Sequence, residues 1–194
     1  MVNKKIGLFF GSFNPIHIGH LIIANYMANY TELDEVWFVV SPQNPFKEKK
    51  SLGNMYDRLE MVNLAIENTE NLKASDIEFK LPRPSYTIDT LMHLGEKYPT
   101  KDFFLIMGED NLAGLPKWKN VDIILRDYKV IVYPRAGSHG DELKNHPSVI
   151  MTQTPLMELS STFLRKSIKE GKSIKFYTTD KVIDFIEKKG LYLL

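Results

Sequence analysis

The stretch FFGSFNPIHIGH, Phe9 to His20, decides how this chain is read. An apolar, β-prone run at residues 5–10 enters it, and LIIANYMANY, residues 21–30, leaves it with helical spacing. A buried strand therefore passes into a helix through a glycine, a serine, an asparagine, a proline and two histidines three residues apart. Gly11 permits a close backbone approach or a positive φ just beyond the strand. Pro15 fixes its own φ and keeps Asn14 out of the helical region, so the turn is stiff. The helix is expected to begin near Ile18, with its first free N–H groups aimed at the carboxyl edge of the sheet. Such a terminus carries roughly half a positive charge, and no acidic residue follows until Glu32. Three readings fit these residues: two structural histidines in a tight loop, a two-histidine metal site, or a phosphate site. The metal site lacks a third ligand, because no cysteine or other clear partner follows.

Working outward, short apolar runs alternate with longer helical patterns. Strands are expected at 5–10, 35–41, 102–107 and 128–133, with weaker ones at 72–79 and 148–152. Helical periodicity appears at 18–30, 54–68, 86–97, 161–169 and 179–189. This alternation predicts an α/β fold: a Rossmann-like, doubly wound, mostly parallel sheet with helices on both faces. One domain spanning residues 1–194 is expected, with the C-terminal helices (about 158–194) packed against it. In such a sheet ligands bind beyond the carboxyl ends of the strands, near the switch in strand order.

The bulk composition narrows the class. The 194 residues are 43% apolar and carry a net charge of +1. That balance gives no broad electrostatic footprint for nucleic acid, and an anion must be gripped by local groups. The absence of cysteine removes disulfides, thiolate zinc sites and cysteine nucleophiles, and fits a cytoplasmic location. No apolar run approaches the roughly 20 residues of a membrane span, and no export signal is read at residues 1–10.

Further motifs follow predicted strands or open predicted helices. ELSSTFLRKSIKEGKS, residues 158–173, offers Ser160, Ser161 or Thr162 as a helix cap. Its first charges are Arg165 and Lys166, where a helix start would ordinarily favour acids. A bound polyphosphate would reverse that preference, although an ordinary basic helix face reads equally well. RPSYTIDTL, residues 83–91, places Ser85 as a cap, with Tyr86 and Thr87 in the first turn. IMGEDNLAGLPKWKN, residues 106–120, sets Gly108 at a strand end, Asp110 just after it, and Trp118 in a loop between two lysines.

GSFNPIHIGH resembles the nucleotidyltransferase superfamily, whose signature is histidine, any residue, glycine, histidine after the first strand. Within it the segment is similar to the bacterial nicotinate-nucleotide adenylyltransferases. SSTFLR matches that superfamily's second motif, and the matches run in order from residue 7 to residue 192. Two departures are visible: Phe10 stands where a glycine is common, and Asn14 where aspartate is common. Phe10 removes one point of backbone flexibility, whereas asparagine can still bond its own loop.

The resemblance implies that nicotinate mononucleotide and ATP are joined to give nicotinate adenine dinucleotide and pyrophosphate. It implies catalytic roles for His17, His20 and Arg165. The ATP side would comprise Gly11, Ser12, Phe13, His17, His20, Gly108, Asp110, Ser161, Thr162 and Arg165, with Arg135 a weaker candidate. Lys47, in SPQNPFKEKK at residues 41–50, would steady the mononucleotide phosphate. Ser85, Tyr86, Thr87 and Trp118 would receive the pyridine ring, with backbone amides near Tyr86 and Thr87 meeting its carboxylate. Mg²⁺ would arrive with ATP, with no metal cage from the protein and no tightly bound organic cofactor. No nucleic acid or membrane partner is expected, and a homo-oligomer is compatible with the sequence. A nicotinamide-mononucleotide or pantetheine-phosphate adenylyltransferase, and a non-catalytic nucleotide sensor, stand as alternatives. Arg58, on the helix from 54, reads as either a surface or an ion-paired arginine.

Overall fold

The computed structural model describes residues 2–42, 52–138 and 142–193, with only the backbone of Glu142. Six strands form one sheet: β1 (Lys4–Gly11), β2 (Glu35–Val40), β3 (Leu72–Ser75), β4 (Lys101–Gly108), β5 (Lys129–Tyr133) and β6 (Val149–Met151). Their order is β3-β2-β1-β4-β5-β6, and every pairing is parallel. The fold is the expected Rossmann-like α/β arrangement. Strand order reverses between β1 and β4, so Gly11 and Gly108 end the two strands that flank the switch point.

Alternation along the strands assigns the helices to faces. Phe9, Phe38, Phe104 and Ile106 point to one side. There they pack with Ile23 and Met27 of α1 (Ile18–Tyr30) and Met61 of α2 (Met55–Ala65). Leu164 of α6 (Ser161–Lys169) and Val182 and Ile186 of α7 (Asp180–Lys189) join the same cluster. Ile6, Leu8, Val39, Leu105 and Val132 point to the other side. They meet Ile88, Leu91 and Leu94 of α3 (Thr87–Lys97), Leu112 of α4 (Glu109–Leu112) and Ile124 of α5 (Val121–Asp127). Among the described residues no helix is long and apolar enough to cross a membrane.

Three local differences from the sequence reading have simple causes. The run at 72–79 is a strand only to Ser75 and then tightens into a 3₁₀ turn, Ile77–Lys80. Helices α4 and α5 are not legible as periodicity, because four and seven residues are too few to display a 3.6-residue repeat. Ser85 does not cap α3: the N-cap is Tyr86, and no side chain bonds the first turn.

At the amino end of the sheet, Glu35 is only 3% exposed. Its carboxylate accepts from Lys4 Nζ at 2.6 Å, Lys73 Nζ at 2.8 Å and Trp37 Nε1 at 2.9 Å. Burial alone would push its pKa up. The two ammonium groups and the indole outweigh that and hold it down to about 2. This cluster staples β1, β2 and β3 at the end opposite the switch-point edge.

Because the folded-state pKa lies below the ordinary 4.5, the cluster stabilises fully above that pH and loses its contribution as pH falls toward 2. Glu35→Gln is expected to cost about 1–3 kcal/mol at pH 7. Urea titrations at pH 7 and pH 3 check this, and the gap between variant and parent narrows at the lower pH.

Candidate active site

Between the end of β1 and the start of α1 the backbone has no regular pairing, and remote side chains take its carbonyls. Arg58 Nη1 donates to Ser12 O at 2.6 Å. Arg165 Nη1 donates to Asn14 O at 2.8 Å, and Ser161 Oγ to Pro15 O at 2.8 Å. Thr178 Oγ1 donates to Ile16 O at 3.0 Å, and the Ile18 N–H bonds Tyr177 O at 2.8 Å. The histidine-containing loop and the SSTFLR segment, some 150 residues apart, are thus tied directly together (separations of 146 and 151 residues).

Local geometry within the loop is tight. Phe13 adopts a positive φ of 44° and buries its ring against Phe9, Phe38 and His20. A Cβ on Gly11 would lie 2.7 Å from that ring, so glycine is required where the strand ends. Asn14, 3% exposed, reaches beyond its loop: its Oδ1 accepts from Tyr192 Oη at 2.9 Å and from the Gly53 N–H at 3.2 Å.

His17 is the N-cap of α1, in extended conformation, and its N–H donates to His20 Nδ1 at 3.3 Å. The two imidazoles stack with centroids 3.6 Å apart and planes 19° from parallel. Burial, reinforced by the positive charge of Arg135, lowers the His17 pKa to about 4, so it is neutral near pH 7. Its Nδ1 faces the first turn of α1 outside hydrogen-bonding geometry and is a buried acceptor without a partner among the described residues. With no acid in the first turn of α1, the helix terminus keeps its positive potential.

A cleft of about 440 Å³ opens at the switch point. Gly11, Ser12 and Gly108 contribute from the strand ends, Ser85, Tyr86 and Thr87 from the start of α3, and Trp118 from the loop before α5. The start of α3 has free N–H groups and no side-chain cap. Lys119 closes the far side, with Nζ 2.9 and 3.0 Å from the Asp89 carboxylate oxygens and 4.7 Å from the centre of the Tyr86 ring. A second hollow, about 520 Å³, is lined by Thr162, Arg165, Lys166 and Lys169 of α6 together with Arg58 and Tyr192.

Residues 8–167 match the Cytidylyltransferase-like family. A protein of Christiangramia forsetii, described as a probable nicotinate-nucleotide adenylyltransferase, is 52% identical over 193 residues, covering 98% of this chain and 100% of that one. A Flavobacterium johnsoniae protein of the same description is 53% identical over 190 residues, covering 97% and 98%. The chain belongs to the nicotinate-nucleotide adenylyltransferase family. The fold likeness extends to the Plasmodium falciparum nicotinic acid mononucleotide adenylyltransferase complexed with NaAD: TM-score 0.80, 97% of each chain covered, 23% identity.

Within this family member, some residues expected from sequence line the two hollows, whereas His17, His20, Phe13, Asp110 and Ser161 line neither. Gly11, Ser12, Gly108, Ser85, Tyr86, Thr87 and Trp118 share the 440 Å³ cleft. Thr162 and Arg165 line the second hollow, and Arg165 Nη2 donates to Thr162 Oγ1 at 3.2 Å. Ser160, not Ser161, caps α6, accepting from the Phe163 N–H at 3.3 Å. The ring of Phe13 belongs to the core, so only its backbone can meet a ligand. Asp110 is exposed and stands 3.7 Å from Arg135 Nε. Lys47 lies outside the described residues.

Sequence reasoning missed Glu78, Asn111 and Lys119, which all line the cleft. It also misjudged Arg58, which is neither exposed nor ion-paired among the described residues: it is 0% exposed and spends its guanidinium on four carbonyls. Beyond Ser12 these are Ser41 at 2.8 Å, Gly53 at 3.0 Å and Pro42 at 3.3 Å. Burial lowers its pKa to about 10, leaving it charged. One planar fork therefore fixes the ends of β1 and β2 and the lead-in to α2.

Arg58→Met leaves these carbonyls buried and unpaired and is expected to cost about 3 kcal/mol or more in a urea titration. Arg58→Lys keeps the charge without the fork. It is expected to recover less than half of that loss.

Proposed function

We propose that this chain joins nicotinate mononucleotide to ATP, giving nicotinate adenine dinucleotide and pyrophosphate. An oxygen of the mononucleotide phosphate attacks the α-phosphorus of ATP, and the bond from that phosphorus to the β-bridging oxygen breaks. The pyrophosphate leaves with the bonding electron pair. The nucleophile is already anionic near neutral pH, so no side chain has to remove a proton. Catalysis consists of positioning the two phosphates and stabilising charge on the transferring group and the leaving group.

The start of α1 is suited to the α-phosphate: the positive end of the helix dipole, no acid in its first turn, and His20 beside it. Neutral His17, packed against His20, fixes that ring and orients it. Arg165, Ser161 and Thr162 are assigned to the β and γ phosphates. Mg²⁺ would enter with ATP, offsetting charge on those phosphates. Magnesium usually keeps waters and substrate oxygens as ligands.

One observation supports nicotinate over its amide. The uncapped N-terminus of α3 opens into the cleft beside Trp118, where an apolar wall can hold a pyridine ring and the helix end can accept a carboxylate. A helix terminus in a partly buried site is worth up to about 2 kcal/mol for an anion. The ratio of kcat/KM for the nicotinate and nicotinamide mononucleotides, measured in parallel by pyrophosphate release, is therefore expected to be on the order of tenfold or more. A ratio of one or below rejects the assignment. His20→Ala is expected to lower kcat by about tenfold or more with little change in the thermal midpoint, and an unchanged kcat removes His20 from the chemistry.

A further inference from the structure

The floor of the cleft holds a carboxyl group that the reaction as described does not use. Glu78 lines the cleft yet is only 3% exposed. Thr90 Oγ1 donates to its Oε1 at 3.0 Å, and the hydroxyls of Ser41 and Ser85 lie near enough to favour its charged form. These three hydroxyls come from just past the end of β2, the residue before the N-cap of α3, and the second turn of α3. Glu78 thus stitches the start of α3 to the carboxyl edge of the sheet. Among the described residues it makes no ion pair. The cations nearest by connectivity are engaged elsewhere: Lys119 is bonded to Asp89, and Arg58, which holds the Ser41 carbonyl, is committed to four backbone oxygens. The remaining titratable groups lining the cleft are Lys117, Tyr86 and Tyr133.

We propose that Glu78 sets the charge preference of the cleft: as an uncharged, hydrogen-bonded acid it fixes the start of α3 and leaves the positive end of that helix free for an anionic ring substituent, and on losing its proton it turns the cleft against that anion. Burial supports the first state, raising the Glu78 pKa against the opposing pull of its three hydroxyl partners. An ionised Glu78 would put a second negative charge in the pocket that receives the pyridine carboxylate, and like charges sharing a site disfavour one another. A carboxamide carries no charge and is indifferent to the change. Glu78 is a positioning residue. It acts on the ring substituent through the helix start and through its own charge, and takes no part in phosphoryl transfer.

The inference rests on the proposed reaction, so its test compares two substrates that differ only in the ring substituent. The ratio of kcat/KM for nicotinate over nicotinamide mononucleotide is followed from pH 5 to pH 9. Titrations of the shared phosphate and of the phosphate-binding groups cancel in this ratio. In the parent protein the ratio is expected to fall at least about fivefold with rising pH. In Glu78→Gln, which keeps the shape without the titration, it stays flat at the low-pH value. An equally steep fall in the variant, or a flat ratio in the parent, overturns the inference while leaving the adenylyltransferase reading intact. Absence of turnover with both substrates in the parent overturns that reading first. If Glu78→Gln does not fold, calorimetry on the parent protein decides. At the midpoint pH of the fall in the parent ratio, in buffers of different ionisation enthalpy, the nicotinate nucleotide is expected to take up more protons on binding than the amide, and equal uptake there overturns the inference.

Discussion

The loop from Ser12 to His17 carries the chain from β1 to α1 with no regular secondary structure to satisfy its own carbonyls. A buried, unpaired peptide carbonyl is costly, so a loop of this kind survives only if other parts of the chain supply donors. Arg58, Arg165, Ser161 and Thr178 do so, one carbonyl each. The left-handed Phe13 and the buried Pro15 and Ile16 between these points leave the loop little freedom. Arg165 serves two ends at once: the residue assigned to phosphates also holds Asn14 in place, so ligand grip and loop geometry rest on the same guanidinium.

The parallel sheet turns this local clamp into a site. Because the strand order reverses between β1 and β4, no crossover covers their shared carboxyl ends, and both end in glycine. A Cβ on Gly108 would come within 2.4 Å of Asp110 Oδ1 and 3.2 Å of the Tyr133 ring, so a side chain there would have to displace the exposed Asp110 carboxylate. The cleft this leaves is bounded on one side by a helix start and on the other by Trp118 and Lys119.

Charge is distributed with the same economy. Glu35, with two lysines, is ionised and sits at the amino end of the sheet, far from the cleft along the strands. Glu78, bonded by the Thr90 hydroxyl and with no ion pair among the described residues, sits in the cleft. His17 is held neutral by burial and by Arg135, so the stacked imidazole pair does not force two positive charges together. A site for two anionic substrates thus gains its favourable potential from helix termini and from a few arginines held by carbonyls.

The residue pattern alone dictated the α/β class, because each parallel strand is buried on both faces and reads as a short apolar run, while the intervening helices carry a 3.6-residue rhythm. It also singled out His17, His20 and Arg165 as candidates for a phosphate site, since imidazoles and a guanidinium near acid-free helix starts suit an anion. Folding in three dimensions decided the rest. Nothing near Arg58 in the sequence says that its partners are the carbonyls of Ser12, Ser41, Pro42 and Gly53, since backbone oxygens leave no residue-type signature. Nor does the chain around Ser85 reveal that its hydroxyl turns toward Glu78 instead of capping α3. Contacts between strand ends and helix starts depend on how the sheet twists and which strands become neighbours, and local sequence carries no record of either.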